Sequence, residues 1–195
     1  MRGIGLVLAI GLITTSAFGL PLAGDPAAIT SGSVVFAEAS NWIAQVDYAV
    51  YEAGAYPGTH PDAQTNYIYA YQIFNDPLSA DTLSTFTLGL LSGSDAASPT
   101  SDAGYGAAGG VSPLLSRLVG SPSPTSVQWV LDLSWDQHTT TLLFSSPHSF
   151  TFAPATLANG GLGDTHPLPT PVPEPTSMGL LLAGIAMVTR RKRSQ

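Results

Sequence analysis

Residues 66–75 read "NYIYAYQIFN", a run in which almost every position is apolar or aromatic. Period-two segments put alternate side chains on opposite faces, so a run greasy on both faces describes a strand covered on both sides. The segments around it support a β fold. In "WIAQVDYAVY" (Trp42–Tyr51), Trp42, Ala44, Val46, Tyr48 and Val50 share one face, while Gln45 and Asp47 point the other way. "STFTLGLL" (84–91) groups Phe86, Leu88 and Leu90, and "SVQWVLDLSW" (126–135) groups Val127, Trp129, Leu131 and Leu133. "TTTLLFSS" (139–146) follows after the polar turn at 136–138, which predicts a hairpin with the segment before it. "SVVFAEA" (33–39) and "SFTFA" (149–153) add outer strands. No long helical period and no internal repeat interrupts the series. The expectation is an all-β domain, an antiparallel β-sandwich of seven or eight strands over residues 20–153. Residues 96–124, rich in Gly, Ala, Ser and Pro, read as its largest irregular insertion, with "SPLLSRLV" forming one helical turn or a short strand.

Charge narrows the function. The 195 residues hold six Lys and Arg, of which Arg117 alone lies between 20 and 175; that span carries all thirteen acidic residues, a net of −12 with His neutral. Such a body repels phosphate backbones and anionic headgroups, which excludes nucleic-acid binding. Cysteine is absent, so no disulfide, thiolate nucleophile or metal–thiolate centre can form.

Both ends read as processing segments. Arg2, an apolar run from Ile4 to Ile13 and the small residues after it match a secretory signal over residues 1–19, its h-region helical and too short to span a bilayer. Ala17 and Gly19 stand at −3 and −1 of a cleavage after Gly19; cleavage after Ala17 or Ala23 also fits. At the other end, "TSMGLLLAGIAMVT" (176–189) would rise about 21 Å as a helix, against a hydrocarbon core of about 30 Å. It has no polar face, and Arg190, Arg191, Lys192 and Arg193 follow at once as a cytoplasmic basic stop whose stems can snorkel. The orientation that follows places the body outside and the C-terminus inside. Ahead of it, "HPLPTPVPEP" (166–175) has Pro at every second position and predicts a polyproline II spacer of about 31 Å, within a Pro/Gly-rich linker over 154–171.

The tail as a whole, Val172, Pro173, Glu174 and Pro175, then a short apolar helix and a terminal basic cluster, resembles the PEP-CTERM sorting signal of Gram-negative-type bacteria. The resemblance covers residues 172–195. It implies recognition of Pro173, Glu174 and Pro175 by an exosortase, a transpeptidase-like membrane enzyme, and removal of the helix at 176–189 during passage through the inner membrane. It further implies an exported protein at the cell surface or in the extracellular matrix, associated with exopolysaccharide. "YIYAYQIFN", "TFTLGL" and "LLFSS" are also similar to bodies found ahead of this tail.

The body offers little chemistry. Gly104, Gly106 and Gly109 match G-x-G-x-x-G, yet no strand-like run precedes them and Pro113 interrupts the helix that a pyrophosphate site needs. His60 and Asp62 in "THPD" could supply two metal ligands, but H-E-x-x-H is absent, so solvated loops account for His60, His138, His148 and His166. Thirteen acids suit calcium, but no EF-hand loop occurs, and no metal ligand or cofactor is assigned. Asp132 and Asp136 are close enough in sequence to suggest a glycosidase pair; solvation on a strand and its turn explains both. Tyr67, Tyr69 and Tyr71 share one strand face. Exposed, they would stack on sugar rings as a glycan platform; buried, they are core, which the apolar opposite face favours. Thr139, Thr140 and Thr141 with Thr85 and Thr87 bear on ice binding, because some ice-binding proteins carry this tail, although no regular array is visible. The function expected is therefore a non-enzymatic exported surface or matrix protein, with a carbohydrate- or ice-binding module on the same tail as the alternative.

Overall fold

The computed structural model describes residues 22–38, 41–107, 109–121 and 123–172. The expected signal helix and the apolar stretch 176–189 lie outside the described residues. Ten strands form: β1 (Thr30–Glu38), β2 (Trp42–Tyr51), β3 (Tyr67–Asn75), β4 (Leu83–Gly89), β5 (Ala97–Asp102), β6 (Leu115–Val119), β7 (Ser126–Leu133), β8 (Thr141–Ser146), β9 (Phe150–Ala158) and β10 (Gly163–Pro171). They make two five-stranded antiparallel sheets, ordered β1-β2-β3-β8-β5 and β10-β9-β4-β7-β6.

The alternating patterns become the inner faces of a sandwich. Trp42, Ala44, Val46 and Val50 of β2 meet Phe86 and Leu88 of β4 and Val127, Trp129, Leu131 and Leu133 of β7 in one buried cluster. Trp129 lies at its centre, with ring centroids 5.6 Å from Phe86 and 6.3 Å from Phe144. Strand β3 is apolar on both faces because it serves two cores. Its inner residues Tyr69, Tyr71 and Ile73 join the intersheet cluster, and its outer residues Ile68 and Ala70 pack with Leu22, Tyr51, Tyr56 and Leu143 under surface loops.

Four expectations need correction. There are ten strands rather than seven or eight, because residues 96–124 contribute β5 and β6 and residues 163–171 contribute β10; of the two readings of "SPLLSRLV", the short strand is the one observed, over Leu115–Val119. Strands β7 and β8 are not a hairpin: the turn between them carries the chain from the second sheet to the first, where β8 pairs with β3 and β5. All six residues of β8 are buried, as a strand flanked on both sides requires. Residues 154–171 are not a linker but most of the β9–β10 hairpin, in register over nine pairs. The polyproline spacer is likewise corrected: Pro167, Pro169 and Pro171 belong to the outermost strand of the second sheet. Proline's φ is compatible with an extended strand, and prolines two apart place every missing N–H on the same edge. That edge faces away from β9 and cannot template another strand.

The register also defines two ends. Pro171, Gly89, Ser126, Tyr67 and Ser146 lie at one end; Glu38, Trp42, Asn75, Leu83 and the β9–β10 turn lie at the other. Nine strand residues separate them by about 30 Å. The chain leaves at the first end, where the Val172 N–H still donates to Ser149 O at 2.8 Å.

Candidate functional site

Of the sorting motif, only Val172 is described, closing the β9–β10 pair. Pro173, Glu174 and Pro175, the basic stop at Arg190–Arg193 (190–193) and the cleavage residues Ala17 and Gly19 lie outside the described residues.

Tyr69 and Tyr71 are 0% and 1% exposed, and Tyr67 is half-buried against the same core. Tyr69 stacks on Phe144 at 4.7 Å and donates its hydroxyl to His148 O at 2.9 Å; Tyr71 donates to Pro169 O, joining the two sheets. Burial pushes both phenols far above their ordinary value, so they serve as neutral donors inside the sandwich. A ring without exposed surface cannot stack on a sugar.

The other candidates are engaged locally. His60 accepts the Asp62 N–H at Nδ1 (3.2 Å), and its Nε2 lies 3.1 Å from Ser98 O. Asp62 accepts the Ser145 hydroxyl at 2.7 Å; that bond, then one from Ser98, holds its carboxyl below the usual range. His60 and Asp62 thus face different partners, and among the described residues no three His, Asp or Glu side chains are grouped to hold a metal. The glycine run forms a loop against the outer face of the first sheet. Gln72 binds it in strand fashion, donating to Ala107 O (3.2 Å) and accepting from Ala107 N (3.0 Å), and Thr141 donates to Tyr105 O at 2.6 Å. At Gly106 φ is +78°, and a Cβ would lie 2.6 Å from Thr141 Oγ1 and 2.7 Å from Gln72 Oε1. The glycine supplies close approach to a sheet, not a phosphate cradle. Thr139, Thr140 and Thr141 are buried, so they present no array to ice.

That loop, residues 22–28 and residues 52–66 cover half of the outer face through a tyrosine–aspartate network. Tyr51 and Tyr105 both donate to Asp25 Oδ2, Tyr51 at 2.7 Å, and Tyr56 donates to Asp102 Oδ2 at 3.1 Å. The three rings meet edge to face. Burial first, and the neighbouring carboxylate second, raises the phenols of Tyr51 and Tyr56. The network is a structural clamp that pins the loops.

The other half of this face, toward the far end, is open. Here the register sets Val35 opposite Gln45, Gln45 opposite Phe74 and Phe74 opposite His138, one row across the sheet. The row floors a cleft of about 340 Å³ whose walls are Ile43, residues 75–77 and the turn 136–138. The Phe74 and His138 rings stack at 5.5 Å. The turn is fixed by Asn75, whose N–H donates to Gln137 O and whose carbonyl accepts the Asp136 N–H, with Asp136 in the left-handed region at φ +59°. Sequence reasoning passed over this site. The sequence pairs Asp136 with Asp132, which belongs to β7 in the other sheet. The legible signal was Phe74, an aromatic on the outward face of a strand whose inward face is already rich in tyrosine.

No family model, curated protein or solved structure matches this chain.

Proposed function

We propose that the chain is a non-enzymatic exported protein, displayed at the cell surface or in the extracellular matrix and sorted through a PEP-CTERM-type tail. The observation that carries this reading is the junction of body and tail. The sandwich uses the chain up to Val172, and the sorting motif Val172–Pro175 (172–175) starts at that residue, followed by the apolar stretch 176–189 and the four cations. The ten strands of the described residues all end by Pro171, ahead of the motif. Four residue steps link Val172 to Thr176, at most about 14 Å of extended chain. During sorting the tail end of the body would therefore rest close to the inner membrane, with the far end pointing away from it.

The partners of this reading are an exosortase-type processing enzyme, the inner membrane during passage and exopolysaccharide at the destination. The cleft at the far end favours the second reading, a carbohydrate-binding module on the same tail, over an ice-binding one, since Thr139, Thr140 and Thr141 are buried and only Thr85 and Thr87 of the threonine candidates are partly exposed. The test of sorting is a variant with Pro173, Glu174 and Pro175 all changed to Ala in the native host. The variant is expected to accumulate uncut in the membrane fraction; release in the same form and amount as the wild type would refute the assignment.

A further inference from the structure

We propose that the cleft beside Phe74 is a binding site for a neutral saccharide. The volume of about 340 Å³ lies at the small end of ligand pockets, which run from about 300 to 1,000 Å³ and combine apolar walls with a few fixed polar groups. The walls here follow that composition. Val35 and Ile43 are 56% and 45% exposed on adjacent strands, and with Phe74 and Pro77 they give an apolar strip suited to the C–H face of a pyranose. Phe74 is half-exposed, in contrast to the buried tyrosines on the opposite face of the same strand.

The rim provides hydrogen bonds of both senses. Gln45 donates its Nε2 to Asp47 Oδ1 at 2.7 Å, so its carbonyl is the acceptor it can offer. Gln137 accepts the Ser134 N–H at Oε1 (2.9 Å), which leaves its NH2 as the donor. Asp76 and Asp136 add acceptors; Asp76 is oriented by the Leu78 N–H on Oδ1 at 2.7 Å. Sugar hydroxyls donate and accept at once and match this mixture. An anionic sugar would face two carboxylates with no Lys or Arg beside them, since among the described residues the only one is Arg117, on β6 of the other sheet. An organic cation would use the carboxylates and leave the Gln137 amide donor without a partner. The site extends the display reading by giving the outward-pointing end a ligand, and in that sense rests on it.

The experiment is titration calorimetry on the purified full-length chain in detergent, so that its outcome does not depend on sorting. The probes are cellotetraose, maltotetraose and mannotetraose as neutral sugars, tetragalacturonate as the anionic one and tetralysine as the cation. At least one neutral sugar is expected to bind, with tetragalacturonate much weaker. F74A should weaken binding about tenfold, a loss typical of one ring contact. F74L, which keeps apolar volume but removes the flat face, should do the same with an unchanged melting temperature. Binding of tetralysine alone, abolished in D136N, would overturn the ligand class. Sugar binding insensitive to both Phe74 variants would overturn the location, and no binding of any neutral probe would overturn the proposal.

Discussion

Asp164 of β10 accepts the Ala37 N–H of β1 on Oδ2 at 2.9 Å, tying the edge strand of one sheet to the edge strand of the other. The same oxygen lies 2.8 Å from His166 Nε2, and the His166 ring meets Phe36 edge to face at 4.9 Å. Burial raises this carboxyl, but the N–H groups of Ala37 and Thr165 and the His166 ring outweigh it and hold the group below its ordinary value. The bridge therefore contributes stability above the ordinary carboxylate range, near pH 4, and loses it as pH falls through the lowered folded value. D164N should unfold with a flatter dependence on pH between about 5 and 2 than the wild type. Parallel curves in urea denaturation across that range would show the bridge to be idle.

Gly106 carries the loop that seals the outer face. A methyl group there meets Thr141 Oγ1 and Gln72 Oε1 in a left-handed backbone. G106A should cost about 1–3 kcal/mol in urea unfolding. G109A shares the positive φ but has open space for its Cβ, so it should cost less. Equal losses would mean that backbone conformation, not close approach, decides.

Leu22 is fully buried in the second core and Asp25 receives two phenol hydroxyls, so the clamp begins within three residues of the expected signal cleavage. Cleavage after Ala17 or Gly19 keeps Leu22, whereas cleavage after Ala23 discards it. N-terminal sequencing of the exported protein should start at Phe18 or Leu20. L22A should lose about 2–5 kcal/mol, the range for a buried leucine truncated to alanine. A mature protein beginning at Gly24 with wild-type stability would contradict the role given to Leu22.

Tyr71 fills the core and donates across it to the carbonyl of Pro169. Y71F keeps the ring and leaves a buried acceptor without its donor, at a cost of about 1–3 kcal/mol. Its hydrogen-exchange signature should be local, with faster exchange at Leu168 and Thr170 of β10 than at β7. Uniform acceleration across both sheets would show that the bond does not hold β10 specifically.

These effects divide along the line between local and distant determinants. The inner faces of β2 and β7 were legible because one side of a strand met the core, and period two is all that requires. The covered strand β3 was legible from its two apolar faces, although what covers the outer one, Leu22 and the tyrosine clamp, comes from loops far off in sequence. Strand β8 was found but misplaced: "TTTLLFSS" follows β7 closely, and nothing local says that its partners are β3 and β5. Strand β10 was hidden by its prolines, since alternate Pro describes a free spacer as well as an edge strand, and only the pairing with β9 separates the two. The cleft escaped for a similar reason. Val35, Gln45, Phe74 and His138 are ordinary residues from four segments, and the register alone sets them in a row.

Sorting of this kind requires that the sandwich be released intact from its tail. Mass spectrometry of the protein recovered from the surface or matrix of its native host tests that directly. A C-terminus within or just after Val172–Pro175 (172–175), without the apolar stretch 176–189, is the result expected. A surface protein still carrying "RRKRSQ" through Gln195 would contradict it.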